Sequence, residues 1–300
     1  LELAHQYKTP LYVLSESSIR QKCHAVQNEF LNKYENVYAA YASKALLTST
    51  LAKIIHQEGL HMDVVSGGEL YTAIHADFPT EKIIFHGNNK SLEELEYAVK
   101  HQVGRIVVDN LYELSALNTI CNALNRKVRI LFRITPGVVS STHDYIATGK
   151  KDSKFGLSMD EDVIFPAIEK VLEQPLFEFL GFHFHVGSQI FDHTSHVQAT
   201  EIALDLIKRV KEHFGLEVKE LNTGGGYGVK YTDEDTPKSI GYFTDAIMAK
   251  VESYCNAHEL HRPTVFIEPG RFIIGEAGTT LYTVGSIKDI PPSRSKPVGR

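Results

Sequence analysis

The sequence predicts an α/β fold, a (β/α)8 barrel of TIM type, followed by the beginning of a C-terminal all-β, Greek-key-like domain. Three observations predict it. Eight short runs rich in Val, Ile, Phe and Tyr begin near Val37, His61, Ile83, Arg105, Val128, Phe179, Lys219 and Thr264. Each is followed by a polar or glycine-rich turn and then by helical periodicity. The first five are spaced by 24, 22, 22 and 23 residues, room for one strand, one helix and two loops. After Gly270 the alternation stops, and residues 279–287 read as a strand with no helix behind it. The expected division is therefore a barrel over 1–273 and an incomplete β domain over 274–300. An open doubly wound sheet would need a G-x-G-x-x-G turn after the first strand, and none is there. A leucine-rich repeat would suit the spacing, but its leucine signature is absent.

In chain order, Leu1 already lies in a helical stretch, and Ile19, Cys23, Val26 and Phe30 then share one helical face. Capping boxes are expected at Ser91-Leu-Glu-Glu94, Asn110-Leu-Tyr-Glu113 and Ser158-Met-Asp-Glu161, each with a cap three residues before a glutamate. A long helix runs from about Thr194 to Phe214 and stops at Gly215, the residue type that accepts a left-handed turn.

Composition excludes several functions. A content of 43% hydrophobic and 23% charged residues is enough for a buried core. The net charge of −6 advertises no surface for nucleic acid. No apolar run approaches about 18 residues, so no membrane span is expected. No basic leader is visible, and Cys23, Cys121 and Cys255 are too far apart in sequence for a disulfide framework or a zinc site. A cytoplasmic setting is expected.

A barrel collects its chemistry at the carboxyl ends of its strands. Those ends read Ala40-Tyr-Ala-Ser-Lys44, Asp63-Val-Val-Ser-Gly-Gly68, Phe85-His-Gly-Asn-Asn89, Val108-Asp-Asn110, Phe132-Arg133, His183-Phe-His-Val-Gly-Ser-Gln189, Asn222-Thr-Gly-Gly-Gly-Tyr-Gly228 and Glu268-Pro-Gly-Arg271. Alternation puts Lys44 on the face of Ala40 and Ala42, where a desolvated lysine could form a Schiff base; position alone favours a solvated lysine at a strand end, since charged side chains seek water. Gly224, Gly225 and Gly226 could present backbone N–H groups to a phosphate or form a flexible turn. His183 and His185 share a face and could bind metal, stack on a flat ring, or be interior hydrogen-bonding histidines; no third metal ligand is evident. Glu268 ends a buried apolar strand and needs a cationic partner, either Arg271 or a protonated pyridine nitrogen.

Taken in order, the segments Tyr41-Ala-Ser-Lys-Ala45, Asp63-Val-Val-Ser-Gly-Gly-Glu-Leu70, His86-Gly-Asn-Asn-Lys90, His185-Val-Gly-Ser-Gln189, Gly224-Gly-Gly226 and Glu268-Pro-Gly-Arg271 resemble the motifs of the fold-type III pyridoxal-phosphate enzymes, the alanine racemase-like barrel decarboxylases. The likeness runs from Thr9-Pro-Leu-Tyr-Val13 to the strand at 279–287. Thr142-His-Asp-Tyr-Ile-Ala-Thr-Gly149, Ser153-Lys-Phe-Gly156 and Gln189 are most similar to the diaminopimelate branch. Thr135 departs from the pattern, which has asparagine there.

The resemblance implies a decarboxylase that uses pyridoxal 5′-phosphate, giving L-lysine and carbon dioxide from meso-diaminopimelate. It implies Lys44 as the Schiff-base lysine, His185 stacked on the cofactor ring and Glu268 as partner of the pyridine nitrogen. It implies further cofactor contacts at Asp63, Ser188, Gly224, Gly225, Gly226, Gly270 and Arg271, and substrate contacts at Arg271, His143 and Tyr145. No metal is expected. The partners implied are a small amino-acid substrate and, at full length, a second copy in a homodimer, with neither nucleic acid nor membrane. In the family the β domain takes its first strand from residues equivalent to those before Leu1. That domain and the partner subunit complete the substrate site, so residues 1–300 alone are expected to bind cofactor weakly. Alternatives are a related decarboxylase of polyamine synthesis acting on carboxynorspermidine, ornithine or arginine, a non-catalytic homologue that binds the cofactor, and, more distantly, a metal-dependent barrel hydrolase.

Overall fold

Short β-branched and aromatic runs between amphipathic helices leave each strand buried on both faces, the condition under which parallel strands close into a barrel. The computed structural model describes residues 1–138 and 154–288. Its barrel strands are β2 (Val37–Ala42), β3 (His61–Val64), β4 (Ile83–Phe85), β5 (Arg105–Val108), β6 (Val128–Arg133), β7 (Phe177–His183), β8 (Glu220–Asn222) and β9 (Thr264–Ile267). All neighbours are parallel, in sequence order, and β9 closes on β2 through Val37 opposite Val265. The eight expected runs are these strands, each start within two residues. Preceding them are α1 (Glu2–Tyr7), β1 (Leu11–Leu14) and α2 (Glu16–Val26). The outer helices are α3 (Ser49–Gln57), α4 (Gly67–His75), α5 (Leu92–Lys100), α6 (Leu111–Leu124), α7 (Glu161–Leu172), α8 (Thr194–Phe214) and α9 (Ile240–Ala257). A single turn, α10 (Arg271–Ile274), follows β9, and β10 (Gly278–Leu281) ends the regular structure.

Helix boundaries follow local chemistry. Ser91 and Glu94 form the reciprocal capping box. Asn110 caps α6, but the Glu113 carboxylate turns to the Asp109 N–H and to Lys90 instead. The box expected at Ser158 does not form. The Ser158 hydroxyl accepts from the Asp160 N–H at 3.2 Å and donates to its carboxylate, so the helix starts later, at Glu161. Gly215 ends α8 with φ 63°.

The core has two parts. The large one lies between sheet and helices and includes Ile19, Cys23, Val26 and Phe30. The small one fills the barrel: Ala40, Ile84, Val107, Leu131, Leu180 and Phe266. Below it the guanidinium of Arg105 grips the Glu220 carboxylate at 2.6 and 2.7 Å. Above it the two-residue period places Ala42, His86, Asp109, Arg133 and Glu268, two positions beyond Ala40, Ile84, Val107, Leu131 and Phe266. β7 departs from that period where its register against β6 shifts between Ile130 and Leu131; there Gly181 (φ 150°) runs so close to β8 that a Cβ would meet the Glu220 carbonyl oxygen.

β1 pairs antiparallel with β10, Leu11 opposite Leu281, so a strand of the second sheet lies within the chain at Leu11–Leu14. One expectation about the later part of the chain changes. The late strand covers four residues rather than 279–287, because β1 offers only four partners. Among the described residues no helix is long and apolar enough to cross a membrane.

Candidate active site

Two adjoining cavities open at the carboxyl ends of the strands. One, of about 380 Å³, is lined by Ala42, Lys44, His185, Ser188, Gly226, Tyr231, Glu268, Gly270 and Arg271 among others. The other, of about 510 Å³, shares Lys44, His185, Ser188 and Glu268 and adds His86, Asn88, Arg133, Lys154, Phe155 and His183.

Lys44 stands on a three-residue turn, Ser43–Ala45, that interrupts strand alternation after Ala42. The turn lifts its side chain to the rim, where it is exposed, as a solvated lysine at a strand end would be. It still lines both cavities. The neighbouring Ser43 hydroxyl donates to Glu69, whose carboxylate also accepts the Val65 N–H at 2.7 Å and so ties the ends of β2 and β3 together.

Glu268 is almost fully buried, and its partner is not Arg271. Oε1 accepts from Asn222 Nδ2 at 2.7 Å and lies 2.9 Å from His86 Nε2; Oε2 lies 3.2 Å from His183 Nε2. Burial pushes this carboxyl up, but the His86 and His183 imidazoles outweigh it and hold it well below the usual carboxylate range. Burial drives His183 down to about 3, so its ring is neutral at ordinary pH. Arg271, carried outward by α10, instead donates from Nε and Nη2 to Ser188 Oγ at 3.3 and 3.1 Å, and from Nη1 to Tyr231 Oη at 2.8 Å.

The H-x-H pair divides. His183 goes to Glu268, whereas His185 Nδ1 accepts the Gly225 N–H at 3.3 Å, which leaves the ring proton on Nε2. Burial, then the charges of Lys44 and Arg133, hold His185 neutral. The donor set that does gather is His86, His183 and Glu268, with ligand atoms within 4.8 Å of one another.

The glycine triplet is required by space. A Cβ on Gly224 would lie 2.5 Å from the Phe184 oxygen, on Gly225 2.0 Å from the Glu268 oxygen, and on Gly226 2.2 Å from the Gly187 oxygen. The Gly224 N–H goes to Asn222 Oδ1 and the Gly225 N–H to His185, so two of the three expected phosphate donors serve the protein's own side chains. Gly226 is the member that lines the cavity. Gly270 is equally confined, a Cβ there reaching 2.8 Å from Ala42 Cβ. Asp63 lies behind the wall, 3.7 Å from His86 Nε2, with both carboxylate oxygens lacking a hydrogen-bond donor among the described residues; burial pushes it up to about 6. His143 and Tyr145 lie outside the described residues, as does nearly all of the segment 142–153 that marks the branch.

Sequence reasoning gave no role to His86, Asn222 or Tyr231. His86 was findable: it lies two residues beyond Ile84, as Glu268 lies two beyond Phe266, so the period that locates one locates the other. Tyr231 lies in a loop with no periodic signal.

The pyridoxal-dependent decarboxylase model, pyridoxal binding domain, matches residues 16–275. The chain is 46% identical over 294 residues to diaminopimelate decarboxylase of Bacillus methanolicus and 44% identical to that of Bacillus subtilis, covering 98% of this chain and 68% and 67% of theirs. Among solved structures, the diaminopimelate decarboxylase of M. jannaschii in complex with L-lysine superimposes with a TM-score of 0.88 at 33% identity, covering 97% of this chain and 67% of that one. The chain thus spans about two thirds of the length of these relatives.

Proposed function

The chain belongs to the pyridoxal-dependent decarboxylases, in the diaminopimelate decarboxylase family, and from that premise we propose that it converts meso-diaminopimelate to L-lysine and carbon dioxide with pyridoxal phosphate as cofactor. The observation that carries this reading is the convergence of Lys44, His185, Ser188, Glu268 and Arg271 on one cavity. The residues fit the cofactor: Gly226 and Gly270 line the cavity with bare backbone, and a carboxylate held ionised lies in its wall.

When bound, pyridoxal phosphate supplies a sink for the electron pair left by the departing carboxylate. Lys44 Nζ, on the rim between the two cavities, is the amine that would hold the cofactor's aldehyde carbon. Glu268, ionised, hydrogen-bonded to Asn222 and His183 and facing His86, would pair with a protonated ring nitrogen and keep the proton there. Neutral His185, locked by Gly225, covers one ring face. The Arg271 guanidinium, already aligned on Ser188, takes the phosphate together with Ser188 and the Gly226 backbone; its fork would equally suit a substrate carboxylate. Asp63 contributes through His86 rather than by contact. His143 and Tyr145 remain candidates for the substrate.

The same reading assigns 1–273 to the cofactor barrel and 274–300 to the start of a β domain. It places the enzyme in the cytoplasm, supported by three free buried cysteines. It makes the active form a homodimer, supported by the exposed apolar side chains of Tyr12, Tyr282, Val284 and Ile287 on and beside the β1–β10 sheet.

The test is to load the chain with pyridoxal phosphate, reduce with borohydride, map the label, and assay carbon dioxide release from meso-diaminopimelate, ornithine and arginine. Label on Lys44 and preference for diaminopimelate are expected; label elsewhere, or preference for another substrate, overturns the assignment.

A further inference from the structure

The loop His86-Gly-Asn-Asn-Lys90 touches the site only through its first residue, yet both of its ends are buried and held. Its first residue faces the site. His86 is buried, its N–H is donated to the Val64 carbonyl at 2.8 Å, and its Nε2 lies 2.9 Å from Glu268 Oε1. Its ring meets that of His183 edge-on, 4.5 Å between centroids. Its last residue faces the barrel wall. Lys90 is buried, and its ammonium donates to Gly87 O at 2.7 Å, Val107 O at 2.8 Å and Glu113 Oε1 at 2.7 Å, which uses all three of its protons. Glu113 also accepts the Asp109 N–H at 3.1 Å.

A buried ion pair is weak evidence of stability, because desolvation cancels most of the attraction; its surer effect is to hold one arrangement. Here the arrangement held is the backbone of Gly87, the residue after His86. Gly87 itself has φ 125°, and a Cβ there would press on the Val65 oxygen at 3.2 Å. The constraint decides between two acceptors, since His86 Nε2 lies 3.7 Å from Asp63 and 2.9 Å from Glu268.

We propose that the 86–90 loop is a positioning element of the site: His86 aims the Glu268 carboxylate at the cofactor's ring nitrogen, and the Lys90–Glu113 pair anchors His86 on Glu268 rather than on Asp63. This rests on the functional reading above. His86 is a positioning residue, acting through Glu268. The charged or titratable groups facing Glu268 are His86, Asp63 on β3, Arg133 on β6, His183 on β7, Tyr227 after β8, and Lys44 and His185 at the rim. Removing the His86 imidazole, 2.9 Å from Oε1, leaves the others in place and makes Glu268 easier to protonate. A protonated carboxyl no longer retains the ring-nitrogen proton.

The experiment uses the full chain loaded with pyridoxal phosphate and reads two quantities: the dissociation constant of pyridoxal phosphate, and the pH at which the visible band changes on its acid limb. His86→Leu is expected to weaken binding about tenfold and to move the acid limb up by about one pH unit, the size of change that losing one close polar neighbour of a buried carboxylate produces. His86→Gln, which keeps an N–H donor, restores most of both. Lys90→Met with Glu113→Leu, which leaves no unpaired buried charge, moves the limb in the same direction by less. A purely structural role would lower the melting temperature without moving the limb. A wild-type acid limb and affinity in His86→Leu overturn the proposal, and an unmoved limb in the Lys90/Glu113 variant overturns the anchor. If the unsubstituted chain takes up no pyridoxal phosphate, the functional reading fails and the proposal with it.

Discussion

Lys44 and Glu268 illustrate opposite ways of placing a charge at a barrel rim. The lysine is exposed on a short turn and packs against little, so Lys44→Ala should leave circular dichroism and melting temperature unchanged while abolishing borohydride-stable label. Loss of fold in that variant would mean that Lys44 supports the barrel. Glu268 is buried, accepts from Asn222 and His183 and lies 2.9 Å from His86, so its replacement is felt both in packing and in chemistry. Glu268→Gln keeps the shape but removes the negative charge that pairs with the ring nitrogen. It should retain cofactor and lower turnover by at least about 100-fold. An unchanged turnover number would refute the role assigned to the carboxylate.

Glycines in two different elements separate backbone conformation from close approach. Gly215 ends α8 at φ 63° with nothing within 4 Å of a Cβ, so Gly215→Ala should cost only the left-handed penalty, roughly 1 kcal/mol. Gly225 lies in the loop after β8, where a Cβ would sit 2.0 Å from the Glu268 carbonyl oxygen. Gly225→Ala must push β8 and β9 apart or displace the loop, at roughly 3 kcal/mol, and should also weaken cofactor binding because the same N–H orients His185. Urea denaturation of both variants, with cofactor titration of the second, checks this. Equal costs would show that the loop has slack.

The whole molecule couples its stability to pH through groups buried in and around the barrel. Burial drives His61 and His196 down to about 4 and His183 to about 3. Below the unfolded value of 6.5 the unfolded chain takes up protons that the folded chain refuses, so each of these histidines costs stability as pH falls from 6.5 toward its folded value. Asp63 works the other way: raised from 3.8 to about 6, it contributes stability below 3.8 that is lost as pH rises through about 6. His185, also held neutral by burial, acts in the same direction, so the histidine protons outnumber that of Asp63 and stability falls on acidification. The melting temperature of the cofactor-free protein should fall between pH 7 and pH 5, by calorimetry. A melting temperature that rises on acidification would show that these histidines are not held neutral. At the other end of the barrel, Arg105 and Glu220 join β5 to β8 across the floor. Glu220→Ala strands a nearly buried guanidinium and should cost roughly 3 kcal/mol in denaturant, whereas Arg105→Met with Glu220→Leu should cost much less.

What the sequence by itself determined is whatever depends on neighbours along the chain. The eight strands, the caps at Ser91 and Asn110, the Gly215 stop and the polar residue ending each strand follow from period and turn chemistry, which act over a few residues. The direction of Glu268 into the barrel follows from the same alternation as Phe266. Only the tertiary structure decided which groups meet. His86, His183 and Asn222 reach Glu268 from three other strands, and that depends on strand register and on closure between β9 and β2. Arg271, three residues from Glu268, turns away to Ser188 and Tyr231 because α10 rotates it out of the barrel. The β1–β10 pairing joins the two ends of the chain for the same reason. A hydrogen bond is satisfied by proximity in space, and sequence distance carries no information about that once the sheet has closed.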